Sequence, residues 1–560
     1  MKKININIKS LVLLMVFAVV ANMAFAQPGQ NTVIIQGVYT PTIGEANKIN
    51  ITPELKDTVY KTPDFSYDIM EKKLKTPFKV APIKPAKLLG EPLSKLYNNY
   101  IAAGIGNYTT PYFEFYHSKL RSRNTKYGVH LKHISSAGSI TDYAFPGWSE
   151  NLVELYGSKF WKKSVFDGSV SYKRDVNHAY GFKPADYPLL DAPKDVDFVQ
   201  RYNYFDAKFN WYRYRLRKNE MNYNISTNYY YIQDFYRNSE HNVNVNAAFD
   251  WKSSFFRKLK TERIGIKLSN NFYHNTNDTL LALNNNLVSI TPFYKFDYGI
   301  LTAYIGVHAQ VKADSNTSLF IYPEAKFNLA AIPDVLYFNL NISGGHFYNS
   351  MKYMTDDNPF IISPVVRKMT NRKYQINFGL GSSISKSVNF DIQLYYDRYE
   401  NAALFINDTS TTYNNGFIAI YDNADRVNLQ MDIAYQKHEK LRFLLRGNYY
   451  VYNMETELHA WQKPSFDVRL SANYNIQDKI LIKGEFITYG SSYAKVWESN
   501  AFEVKKLSAW ADFNLAVEYR YRKKLGMFVK LNNITAARYQ RWYNYPSYRF
   551  NAMVGLSYIF

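Results

Sequence analysis

From Tyr97 to Phe560 the chain repeats one pattern, apolar and polar side chains in alternation over short runs separated by turns. Val243, Val245, Ala247 and Phe249 interleave with Asn242, Asn244, Asn246 and Asp250. Leu336, Phe338, Leu340 and Ile342 interleave with Asn339, Asn341 and Ser343. Val388, Phe390, Ile392, Leu394 and Tyr396 oppose Asn389, Asp391, Gln393 and Asp397, and Phe466, Val468, Leu470, Ala472 and Tyr474 oppose Asp467, Arg469, Ser471, Asn473 and Asn475. Successive side chains of a strand point to opposite faces, so each run has one greasy and one wet face. A wet face carrying Asp, Arg and Asn cannot be the dry interior of a sandwich, because unpaired charge there is costly. It suits the wall of a wide, water-filled lumen, with the greasy face turned to lipid. After residue 26 no run approaches the roughly 20 apolar residues that a helical span needs. The fold class expected is all-β, a transmembrane antiparallel barrel over 98–560.

Strand counting gives 22 strands, the first at 98–107 and the last at 548–560. Tight turns at Ser385-Lys386, Gln477-Asp478-Lys479 and Arg522-Lys523-Lys524 alternate with long loops at 137–149, 178–199, 348–371 and 491–507. Barrels of the bacterial outer membrane have an even strand number, short periplasmic turns and long external loops. The final run, Phe550 to Phe560, carries Phe550, Ala552, Val554, Leu556, Tyr558 and Phe560 on one face and Asn551, Gly555 and Ser557 on the other, and ends on an aromatic residue. Pro323 falls inside an expected strand, where it removes a ladder donor.

The start of the chain differs. Lys2, Lys3 and Lys9, the apolar run Leu11 to Val20 and the small-x-small site Ala24-Phe25-Ala26 make residues 1–26 a secretory signal peptide. Without Cys there are no disulfides and no lipidated N-terminal cysteine. Residues 27–97 hold eight of the 20 prolines and a lysine-rich stretch from Lys72 to Lys95, which reads as a periplasmic arm or lumen filler without its own core. The net charge is +21, or +18 without the three signal-peptide lysines, and it concentrates in turns such as Lys162-Lys163, Arg215 to Lys218 and Arg257 to Lys260. Export makes nucleic acid an unsuitable partner for that charge; anionic headgroups beside the turns suit it better. Aromatics at 17%, with 51 Tyr, fit the interfacial girdles of a barrel.

Near the end stand Asn532-Asn533-Ile534, Tyr539, Tyr545-Pro546 and Arg549, followed by the Phe-ending strand. In these residues the chain resembles a TonB-dependent receptor, although Pro546-Ser547-Tyr548-Arg549 lacks the glycine usual in the closing turn. The resemblance implies an outer-membrane barrel of the Gram-negative envelope. It also implies a folded plug ahead of the barrel, for which the 71 residues 27–97 are too short, and no TonB-contacting box is recognisable. The expectation is therefore a plugless relative whose lumen must be filled by residues 27–97, by inward-folded loops or by another protein.

No catalytic constellation stands out, so an enzyme is not expected, and neither metal ligands, cofactor nor ligand-binding residues are assigned. His130 and His133 sit three apart on one strand, on opposite faces. Asp356-Asp357 reads as a solvated turn rather than a cation site. Asp512, Glu518 and Arg520 share a lumen face as a charge pairing, and Gly104 and Gly106 share a face in the first strand. Aromatic clusters at Tyr143 to Trp148, Tyr180 to Tyr187 and Tyr353 to Phe360 fall in long loops, as belt residues, self-packed loops or docking surfaces. The function expected is transport or a channel-like role for an unknown solute. The alternative is a non-transporting subunit of an outer-membrane assembly or secretion complex, with outer-membrane lipid and other envelope proteins as partners.

Overall fold

The computed structural model describes residues 96–560 except 120, 189–197, 215–219, 277–282, 315, 364–365, 499–500 and 523. Residues 1–26, expected to be a signal peptide, nearly all of 27–97 and the basic run 215–218 lie outside the described residues. Twenty-two antiparallel strands form one sheet, each paired with its neighbours in sequence. The strand Asn99–Gly106 pairs with Thr110–Lys119 on one side and with Asn551–Ile559 on the other, which closes the sheet into a barrel. At that seam Asn99 and Phe560 exchange backbone hydrogen bonds, both at 3.0 Å. Every strand expected from the alternation is present, with ends displaced by a few residues. Two small additional hairpins, Ser492–Glu498 with Ala501–Leu507 and Gln540–Trp542 with Tyr545–Pro546, lie outside the barrel sheet within long loops.

The greasy face points outward. Ile321 is 67% exposed, Leu556 56% and Val307 50%, among a broad band of exposed Val, Leu, Ile, Phe and Tyr. Against water such a band would be an aggregation surface; against hydrocarbon it is matched. The inward face is wet and internally paired. Arg426 Nη2 lies 2.7 Å from the fully buried Asp397 carboxylate, Lys132 pairs with Glu150 at 2.8 Å, and Lys267 pairs with Glu324 at 2.9 Å. Arg520 reaches Glu518 at 3.5 Å, as their shared face requires, whereas Asp512 accepts the Tyr539 hydroxyl at 2.7 Å.

Two local departures from regular alternation have visible causes. Pro323 lies in the part of Thr317–Ile332 that pairs only with Leu301–Ala313, since the ladder to Leu336–Tyr348 begins at Ala325. The glycines of the seam make room for a ring: Gly104 stands opposite Gly555, and a Cβ on Gly555 would overlap the Phe528 ring. That ring packs with Ala102, Tyr112 and Met553.

The two ends of the barrel differ. One is made of tight turns; between the paired Ile476 and Ile480, Gln477 and Asp478 take positive φ, +51° and +56°, and the Lys479 N–H donates to the Ile476 carbonyl at 3.0 Å. The other end carries the long loops, and these fold back over the mouth.

Candidate functional site

The centre of the looped end is the short helix Met351–Asp357, carried by the connection between the strands Leu336–Tyr348 and Met369–Ser385. Ser350 is its N-cap, its hydroxyl accepting from the Tyr353 backbone N–H at 3.1 Å. The wall supplies the rest of the anchorage. Glu240, fully buried at the start of Ser239–Lys252, accepts the Met351 N–H at 2.9 Å, the Lys352 N–H at 3.4 Å and the Tyr230 hydroxyl at 2.9 Å. Arg367 stands 3.7 Å from the same carboxylate. A buried carboxylate is tolerated here because orphan helix donors, a phenol and a guanidinium share its charge.

Further ties run from the same helix to both sides of the mouth. Lys352 Nζ is 3.1 Å from Asp206, Tyr204 and Thr355 meet at 3.3 Å, and the Tyr202 hydroxyl donates to the Pro359 carbonyl at 3.2 Å. Across the lumen Asp357 pairs with Lys463 at 2.8 Å and with Arg541 at 3.6 Å. Asp234, buried in the turn before Ser239, accepts from the Asn238 N–H at 2.8 Å and from the Ser363 hydroxyl. Burial pushes the Asp234 carboxyl above the usual carboxylate range, although these donors oppose the shift.

An aromatic assembly fills the space between the loops. Tyr545 stacks on Phe360 with centroids 3.8 Å apart, meets Tyr180 edge-on at 4.9 Å and donates its hydroxyl to the Asn415 carbonyl. The Tyr180 hydroxyl donates to the Pro546 carbonyl at 2.9 Å, and Phe182 stacks on Tyr413 at 4.3 Å. Phe405, Phe417 and Trp542 complete the buried cluster with Met354 and Ile361. Burial drives the Tyr545 hydroxyl far above its ordinary range, and burial beside Glu498 pushes Tyr543 up to about 12, so these phenols act as neutral donors.

The sequence singled out several of these positions for other reasons. The closing-motif residues prove to organise the loop cap: Asn533, at φ +48°, donates to the Ala537 and Tyr548 carbonyls, Tyr539 stacks on Trp510 at 3.9 Å, and Tyr545-Pro546 forms the aromatic hub. The clusters Tyr180 to Tyr187 and Tyr353 to Phe360 pack mainly against other loops, Tyr180 and Phe360 on Tyr545 and Phe182 and Tyr187 on Tyr413, while Tyr353 stays exposed. Asp356-Asp357 is not a solvated turn: it is the end of the helix, with Asp357 tied by Lys463 and Arg541. His130 and His133 do face opposite ways; His130 lies 3.1 Å from Glu114 in the lumen and stacks on Tyr116 at 4.0 Å, while His133 meets Asn151 at 2.7 Å. Sequence reasoning missed Glu240, Tyr202, Tyr204 and Tyr230. Ser350, a residue type favoured at helix N-caps, is the one local sign of the helix in what reads as a long loop; the helix N–H that Glu240 accepts lies 111 residues away and leaves no local trace.

No protein-family model and no curated protein matches the chain. Solved structures do. The FrpB iron transporter from Neisseria meningitidis (F3-3 variant) superposes with a TM-score of 0.61 at 9% identity, over 84% of this chain and 82% of that one. The siderophore receptor PirA from Acinetobacter baumannii gives 0.61 at 9% identity, over 84% and 81%. The ferric-catecholate import receptor Fiu from K12 E. coli gives 0.60 at 10% identity, over 83% and 82%. The chain therefore has the fold of the outer-membrane barrel of TonB-dependent siderophore receptors.

Proposed function

We propose that this protein is a transport component of the Gram-negative outer membrane, gated at its external mouth by its own loops. Residues 1–26 direct export, and residues 27–97 serve as a periplasmic arm or lumen filler. The observation that carries the reading is the loop cap. A wide lumen lined with Asp, Arg, Asn and Tyr is closed by a helix held through ion pairs and hydrogen bonds, which water can replace once they part. A barrel serving only as a scaffold has no need of a wet passage behind a separable closure. The likeness to import receptors adds to this reading, and no catalytic role is assigned.

Planar-bilayer conductance tests the gate. The full-length protein is expected to carry no large steady current. Replacing 350–362 by a Gly–Ser segment of equal length is expected to open one. Large steady currents from the unaltered protein, or silence from the replaced form even after residues 27–97 are deleted as well, would overturn the reading. Silence together with fixed-ratio co-purification with other outer-membrane proteins would favour the assembly subunit instead.

A further inference from the structure

At the end opposite the loop cap, one turn is folded back onto the outside of the barrel. It joins Ser239–Lys252 to Thr261–Thr276 and runs from Ser253 to Lys260. Glu262 has the strand parity of the exposed Leu268, opposite to that of Lys267, which pairs with Glu324 in the lumen. Its carboxylate therefore stands on the lipid-facing side. It is nevertheless only 3% exposed, because the turn covers it. Its two oxygens accept the Phe255 N–H at 2.8 Å and the Phe256 N–H at 2.9 Å. The hydroxyl of Tyr294, on the same outward face of the adjoining strand, donates to it at 2.8 Å. The Phe255 ring lies 6.3 Å from the Tyr294 ring.

These bonds fix what the turn presents. Phe255 and Phe256 are 67% and 60% exposed and extend the outward band to which Trp251 and Tyr298 belong. Arg257 and Lys258 follow at the tip, where the Leu259 N–H donates to the Phe256 carbonyl at 3.3 Å. Both are exposed, and among the described residues neither side chain has an ion pair or a hydrogen-bond partner. Lys163, on another turn of the same rim, is by contrast held by Glu220 at 2.7 Å.

We propose that this turn seats an anionic phospholipid of the periplasmic leaflet, its phosphate on Arg257 and Lys258 and its acyl chains along Phe255 and Phe256. An apolar pair followed at once by two unpaired cations matches the order of hydrocarbon and headgroup met on leaving a bilayer. Net charge selects the lipid class. A zwitterionic headgroup sets its own ammonium against the two cations, whereas an anionic one meets them with its full charge. A protein partner would have to displace lipid from a face continuous with the hydrocarbon-facing wall. The inference needs the outer-membrane fold and not the transport reading.

The chain has no cysteine, so Ser254→Cys gives a single site for a bimane label beside the turn. The labelled full-length protein is reconstituted in phosphatidylcholine vesicles containing a minor fraction of acyl-brominated phosphatidylglycerol or phosphatidylcholine, whose bromines quench on contact. Quenching by both is expected, with phosphatidylglycerol favoured about fivefold, as one cation beside an anionic surface would give. Arg257→Gln together with Lys258→Gln should remove the preference. Lys437→Gln together with Lys440→Gln, on the turn between Phe417–Lys437 and Leu441–Met454, should leave it in place. Equal quenching by the two lipids, or a preference untouched by the first pair of substitutions, would overturn the site. A preference lost as fully with the second pair would also overturn it, in favour of general rim charge. Quenching by neither lipid would overturn it as well and leave the turn to a protein partner. Heat-shifted electrophoretic mobility verifies that each variant is folded. Conductance plays no part in this readout, so the gate and the lipid site stand or fall separately.

Discussion

The wall and the loop cap draw on the same residue types, Tyr, Asn, Asp, Lys and Phe, yet they are specified in different ways. In the wall each residue's place follows from its parity and its strand, because a slip of one residue would turn every greasy side chain into the lumen. In the cap no period operates. Position is set by single contacts between distant segments: Glu240 with Met351, Tyr180 with Pro546, Asp357 with Lys463. The wall is redundant, with a hydrogen-bond ladder along both edges of every strand sharing the load, whereas the cap hangs on a few buried groups. A membrane barrel can therefore hold a rigid frame and a separable closure in one chain.

Four substitutions would break or sharpen this contrast. Glu240→Ala removes the acceptor of two helix N–H groups and a phenol and leaves Arg367 buried without its carboxylate. A loss of about 3 to 5 kcal/mol is expected, confined to the cap. Protease cleavage within 349–368 should become rapid while the heat-shifted mobility of the barrel stays. If that mobility is lost instead, wall and cap are a single cooperative unit.

Val307→Arg attacks the wall alone. It sets a charge on the outward face midway along its strand, at an expected cost of about 2 to 4 kcal/mol. Urea unfolding in lipid vesicles should show it, with cleavage of 349–368 unchanged below the transition.

Ser350→Ala deletes the helix N-cap, at about 1 kcal/mol. The same cleavage assay should register a small acceleration, well short of that caused by Glu240→Ala.

Asp234→Asn is the mildest, within about 0.5 kcal/mol at neutral pH, because relief of the buried charge offsets the Asn238 and Ser363 donor contacts that an amide nitrogen cannot accept. Burial raises the Asp234 carboxyl above its unfolded value. Its protonated form therefore favours the cap in acid, and that contribution fades as pH rises through the raised value. Cleavage of the unaltered protein should slow on acidification, and this component of the pH response should be absent from Asp234→Asn.

The contrast also explains what could be read from the residues alone. The alternation of Val243 to Phe249 or Phe466 to Tyr474 defines a strand and its inward face without reference to any other segment, so all 22 strands and their order were legible. Closure of the mouth was not. Tyr202, Tyr204 and Tyr230 look like any girdle tyrosine until the helix is seen lying against them, and nothing beside Glu240 in sequence marks it as an anchor. The closing motif signalled Tyr539 and Tyr545 through resemblance, but their stacking on Trp510 and Phe360 depends on loops that only the folded barrel brings together.

The seam between Asn99 and Phe560 has a consequence for biogenesis. Two residues 461 positions apart must meet before the sheet loses its free edges. Until the last strand arrives, a growing array of ribbons presents unsatisfied amides and carbonyls at both margins, inside a medium that offers no water to quench them. Completion is a single terminal event, and such long-range closure is slow and exposes the precursor to wrong pairings. An insertion machine that shields those margins, or lends a temporary strand to one of them, answers the requirement this geometry sets.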